Sequence, residues 1–191
     1  ADWREWQSPK CRCLQCEALR VAALLKGCRM VVLLDIDNWG FESLATEPAA
    51  KTRLPEDCFF WLFYGAGFEA FWSLDLETAD WAAYGKRRGA VDKTLFADLQ
   101  QRQRLWFSPA GGHKQAADLA ILQTVALLRN MHVVVVSGDR ELRAAAAKKE
   151  RSPAPDGKPR FVGTVAPTGK FGEVWGKLLN HYDKFTGGAM W

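Results

Sequence analysis

Two carboxylates two residues apart, Asp35 and Asp37, close the apolar run Met30-Val31-Val32-Leu33-Leu34-Asp35-Ile36-Asp37-Asn38-Trp39. Carboxylates this close repel unless a proton or a cation sits between them, and a hard divalent metal is the natural occupant. The plainer reading is that Asp37 or Asn38 caps a helix. A further acid, Asp139, follows the run His132-Val133-Val134-Val135-Val136 through Ser137-Gly138. Another, Asp118, interrupts an Ala- and Leu-rich stretch from His113 to about Arg129. A carboxylate in apolar surroundings needs a partner. For Asp118 that partner is either Lys114, one helical turn earlier, or the metal implied at Asp35.

These acids need a scaffold that brings them together. The runs at Met30, Cys58 to Tyr64 and His132 are short, apolar and partly β-branched, as strands buried on both faces of a parallel sheet are. Leu105-Trp106-Phe107 predicts a further short strand broken by Ser108-Pro109, with Ala110-Gly111-Gly112 as a hinge, and Phe161 to Val165 predicts a last one. Helical spacing is expected over Leu14 to Lys26, stopped by Gly27, over Val91 to Gln103, over His113 to Arg129, from Asp139 or Arg140 to Lys149, and over Phe171 to Phe185. Residues 40–54 read as a helix or an irregular crossover. Strands alternating with helices predict a doubly wound α/β domain, its mainly parallel sheet covered by helices on both faces. Open α/β sheets bind ligands at the carboxyl ends of their strands, where Asp35 and Asp139 fall. They converge if their strands are neighbours.

The chain has 191 residues, enough for one substantial core. One domain over residues 29–191 is expected, with residues 1–28 as a partly helical N-terminal extension. Hydrophobic residues at 48% and charged residues at 25% exclude a disordered chain. No apolar run reaches membrane-span length, and the first residues lack the order of a signal peptide, so no membrane is expected. An intracellular address is expected, as for an RNA- or phosphate-acting enzyme, with nucleus and mitochondrion not distinguished.

A net charge of +4 and a pI near 8.8 permit a polyanionic partner without requiring one. Lys86-Arg87-Arg88, Arg102 with Arg104, and the Arg143 to Arg151 region are basic clusters that either touch phosphate or are solvated faces. Nine Trp residues supply core or partner-facing surface, and some could stack on bases. The stretch from Phe59 to Trp81 and the terminal Trp191 suit protein docking or self-association. Cys11, Cys13, Cys16 and Cys28 either hold a structural zinc or include small apolar residues on a helix face.

Leu34-Asp35-Ile36-Asp37-Asn38, Lys114-Gln115-Ala116-Ala117-Asp118-Leu119-Ala120 and Val136-Ser137-Gly138-Asp139, in that order, resemble the PIN-like superfamily and particularly its NYN branch. The opening strand is similar to that of the PIN-like domain of a vertebrate zinc-finger SUMO ligase. The resemblance spans roughly Met30 to Phe185. It implies a parallel α/β fold and a magnesium- or manganese-dependent ribonuclease acting on single-stranded RNA in RNA processing. Asp35, Asp118 and Asp139 then match the family's catalytic, metal-binding acids. Asp37, Asn38 and Glu141 stand beside them, and Lys114 and Arg140, with Lys86, Arg87 and Arg88, contact RNA phosphates. The acid many members carry in mid-chain has no obvious match, with Glu69, Asp75 or Glu77 as substitutes.

Two other functions compete. One is the same fold without catalysis, an RNA- or protein-binding module in a larger assembly. The other is a haloacid-dehalogenase-like phosphatase, with Asp35 as covalent nucleophile and Asp37 as acid/base. Trp39 departs from that pattern, and Asp118 would have no part in it.

Overall fold

The computed structural model describes residues 14–36, 55–65, 99, 102–111, 113, 115–153, 155–167 and 171–187. Residues 40–54, read as a helix or an irregular crossover, and most of 91–103, where a helix is predicted, lie outside the described residues. In chain order the elements are α1 (Leu14–Leu24), β1 (Met30–Asp35), β2 (Cys58–Gly65), β3 (Leu105–Gly111) and α2 (Ala116–Leu127). They continue with β4 (His132–Val136), α3 (Arg140–Ala147), β5 (Val162–Val165) and α4 (Phe171–Thr186).

All five strands are parallel, in the order β3-β2-β1-β4-β5. The chain steps outward from β1 to β2 and β3, then returns to the other side of β1 for β4 and β5. The strand order therefore reverses between β1 and β4, the position of the ligand crevice in open α/β sheets. Leu34 lies opposite Val136. Asp35 and the residues after β4 thus emerge side by side, as the sequence predicts.

Side chains alternate along a strand, so each run of buried residues supplies two cores. Val31, Leu33, Trp61, Phe63, Val133 and Val135 face one way and pack against Val21 of α1, Ile121 and Val125 of α2, and Leu142 and Ala146 of α3. Val32, Leu34, Phe60, Leu62, Val134 and Val136 face the other way and meet Val174, Trp175 and Leu178 of α4. The ring of Trp175 stacks on that of Phe60 at 5.9 Å. Leu179 and Tyr182 extend the predicted stripe of α4 at the margin of that core.

Three boundaries differ from expectation. β3 runs through Ser108 and Pro109 to Gly111 because it is an edge strand, where a proline's missing N–H faces away from the ladder. Its pairing register with β2 shifts between Tyr64 and Gly65. α2 starts at Ala116, since Gln115 adopts φ 67° and interrupts any helix from His113. α1 ends at Leu24, and the predicted stop holds, with Gly27 at φ 78°.

Two devices fix the amino end of the sheet. Arg151 donates from Nη1 to the Val125 carbonyl at 2.8 Å and from Nη2 to those of Leu128 and Met131, closing the exposed end of α2. His132, at the start of β4, accepts the Phe161 N–H at Nδ1 (3.3 Å) and packs its ring against those of both Phe161 and Phe185. Nearby, Gly163 allows α4 to press onto β5: an added Cβ would lie 2.6 Å from the His181 ring.

Burial, with the Arg160 and Arg151 guanidiniums nearby, lowers the His132 pKa from 6.5 to about 4. Between those values the unfolded chain binds a proton that the folded chain does not. Stability is therefore fully present above pH 6.5 and is lost as pH falls toward 4. Burial lowers the His181 pKa too, with the same sign. In thermal melts across this range, His132→Phe is expected to flatten the wild-type slope. An unchanged slope would refute the assignment.

Candidate functional site

At the carboxyl edge of the sheet a cleft of about 700 Å³ opens between α1, β3, α2 and α3. Asp118 from the first turn of α2, Asp139 from the β4–α3 turn and Glu141 from the first turn of α3 all line it. Glu17, Ser108 and His113 are on its wall too, with Phe63, Leu122 and Leu142 among the apolar lining. Acids thus reach one cleft from α1, from α2, and from the start of α3 with the turn before it. Oδ1 of Asp118 is shielded from solvent.

Asp139 is the N-cap of α3, its Oδ1 accepting the Leu142 N–H at 2.9 Å. This leaves Oδ2 as the oxygen that can meet a ligand. Asp35 is placed differently. It has 0% exposure and does not line the cleft. The Ser137 hydroxyl donates to its Oδ2 at 2.7 Å and accepts the Asp139 N–H at 3.0 Å. Arg143 Nη1 donates to the Ser137 carbonyl at 2.5 Å. The carboxylate ending β1 therefore sets, through one hydroxyl, the backbone from which Asp139 projects.

Of the predicted triad, Asp118 and Asp139 share the cleft and Asp35 stands behind it. Among the described residues no three His, Cys, Asp or Glu side chains are gathered as a metal site. Glu141 is exposed and faces the cleft; Arg140 is exposed and does not line it. Asp37, Asn38, Lys114, Lys86, Arg87 and Arg88 lie outside the described residues, as do Cys11 and Cys13. Cys16 and Cys28 are not brought together. Cys28 lies past the end of α1, its Sγ donating to Leu24 O at 3.5 Å and accepting from Arg104 Nη1 at 3.0 Å. From Cys16 to Leu24 the helix rises roughly 12 Å, far beyond two zinc–sulfur bonds. Burial raises the Cys28 thiol pKa.

The residue that sequence reading missed is Glu17, 1% exposed and lining the cleft from α1. Its Oε2 accepts from Trp106 Nε1 at 2.8 Å and Ser108 Oγ at 2.6 Å, and its Oε1 from Arg20 Nη1 at 2.7 Å. Trp61 Nε1 donates to Ser108 Oγ at 2.8 Å, so two strands and α1 meet in one buried polar knot. Only the Glu17–Arg20 spacing is visible in the sequence, and it looks like an ordinary helix-surface pair.

No protein-family model, no curated protein and no solved structure matches the chain.

Proposed function

We propose that this domain is a PIN-like, divalent-metal-dependent ribonuclease whose site is the cleft lined by Asp118 and Asp139. The observation that carries the reading is that these carboxylates line one cleft at the carboxyl edge of the sheet, with Asp35 coupled to Asp139 through Ser137. Mg²⁺ or Mn²⁺ fits this donor set. Such ions are held by one or two carboxylates with waters and substrate phosphate completing the shell, so the absence of Asp35 from the cleft is no obstacle. Asp118 and Asp139 would hold the ion, and the solvent-shielded Oδ1 of Asp118 is suited to that part. A bound ion supplies charge neutralisation at a phosphodiester and a more acidic attacking water.

The chain's own residues divide the remaining work. Asp139 is aimed by its cap bond to Leu142 and by the Ser137 hydroxyl at its N–H. Ser137 in turn is oriented by Asp35. Glu141, at the mouth, can accept a proton from the attacking water. The apolar wall limits solvent around the acids. Ser137→Ala is expected to lower cleavage about 10- to 100-fold, the usual loss for a partner one step removed from a ligand. Undiminished cleavage by folded Ser137→Ala would remove the coupling.

The second reading, a binding module without turnover, is favoured by one observation: Asp35 and Asp139 both have structural hydrogen bonds that would persist without a metal. Titrating Mn²⁺ into the protein, with binding read by calorimetry and cleavage of a fluorescent oligoribonucleotide in parallel, separates the two. Binding with cleavage supports the nuclease; neither sinks it. The phosphatase reading needs Asp35 to attack a substrate, and a carboxylate fully buried off the cleft wall is poorly placed to do so.

A further inference from the structure

The amino edge of the sheet, at the far ends of the strands from the acidic cleft, carries an aromatic stack open to solvent. Phe161 is 43% exposed. Its ring lies 5.8 Å from that of His132 at an interplanar angle of 10°, and 5.6 Å from that of Phe185 at 20°. His132 and Phe185 are themselves 5.2 Å apart at 14°. The backbone of Phe161 is fixed on both sides, its N–H donating to His132 Nδ1 and its carbonyl accepting the Val133 N–H at 3.0 Å. One exposed phenylalanine is ordinary. A ring held nearly flat on two others, with its backbone pinned, is a preorganised stacking surface.

Cations surround it. Arg29 precedes β1, with its side chain 58% exposed. Arg129 and Lys158 are exposed on the turns leading into β4 and β5. Those turns form one surface, since the Ser152 N–H donates to Arg129 O at 3.0 Å and Arg160 Nε to Asn130 O at 3.2 Å. The nearby acids are partly answered: Asp156 pairs with Arg160 at 3.1 Å and Asp57 with Arg29 at 3.5 Å.

We infer that this edge is a contact site for single-stranded nucleic acid, with a base stacking on Phe161 and phosphates met by Arg29, Arg129 and Lys158. Base–aromatic stacking tolerates any base and needs an unpaired one, while a basic rim follows the backbone. An acidic peptide without aromatic or arginine side chains would use the cations and leave the ring bare. The surface lies outside the cleft and does not depend on whether the cleft turns over.

The test is fluorescence anisotropy of the full chain with fluorescein-labelled oligouridine and oligodeoxythymidine in EDTA, which silences metal-dependent cleavage. Phe161→Ala is expected to weaken binding roughly tenfold, while Phe161→Trp holds or strengthens it. The double variant Arg129→Glu/Lys158→Glu should weaken binding too, and reduce the slope of log affinity against log salt by about 0.7 for each phosphate that is no longer neutralised. If Phe161→Ala fails to fold, Phe161→Trp and the exposed double variant decide. The inference is overturned if folded Phe161→Ala binds as wild type, or if the double variant does so with an unchanged salt slope. It is equally overturned if the wild type ignores the oligonucleotides or binds duplex as tightly. Undiminished cleavage by folded Asp139→Asn counts against the nuclease reading alone.

Discussion

Asp139→Asn is expected to lower Mn²⁺-dependent cleavage of an oligoribonucleotide by at least ~100-fold, since a direct ligand should matter more than the partners that orient it. Its melting temperature should barely move. The two effects separate because Asp139 has two jobs. As N-cap of α3 it accepts the Leu142 N–H, and asparagine is about as good a cap as aspartate. Asparagine is a far weaker ligand for a hard cation, because it lacks the charge. Asp139→Ala loses both, with roughly 0.5–2 kcal/mol of stability going with the cap. Initial rates at saturating Mn²⁺, alongside thermal melts, are the measurement. A fully active Asp139→Asn would mean that the carboxylate serves the helix alone and is not a ligand of the metal.

The sheet was legible because its strands are buried on both faces. Residues Met30 to Leu34 and Val133 to Val136 are all at 0% exposure, which leaves no polar alternation for another reading of those runs. The placing of Asp139 as a helix start was legible too, since Ser137-Gly138-Asp139 combines turn and cap residues. Asp35 was harder. Strand pattern locates it at the carboxyl edge but does not say whether the neighbouring turn covers it, and Ser137 does. Pro109 reads as a breaker until β3 is known to be an edge strand. Local sequence carries no information on sheet order, and so none on edges.

Glu17 marks the limit of what spacing can reveal, and its removal is the change expected to cost the fold most. Its partners Trp106 and Ser108 lie 89 and 91 residues away, so no window of sequence connects them. Glu17→Ala would leave the Trp106 N–H, the Ser108 hydroxyl and Arg20 without their acceptor. Arg20 sits near solvent, at 16% side-chain exposure, and can recover water, but Trp106 and Ser108 are 8% and 1% exposed. Each orphaned buried donor costs roughly 1–3 kcal/mol, so with the lost pair the total is on the order of 3–5 kcal/mol. For a domain of this size that lowers the melting temperature by roughly 6–20 °C. Glu17→Gln keeps one acceptor oxygen and should fall between. Thermal melts of the three proteins decide it. If Glu17→Ala melts with the wild type, the knot is not what holds α1 to β3. If it melts early, α1 is part of the domain, and the Ser108 wall of the cleft depends on a helix that composition alone assigns to an extension.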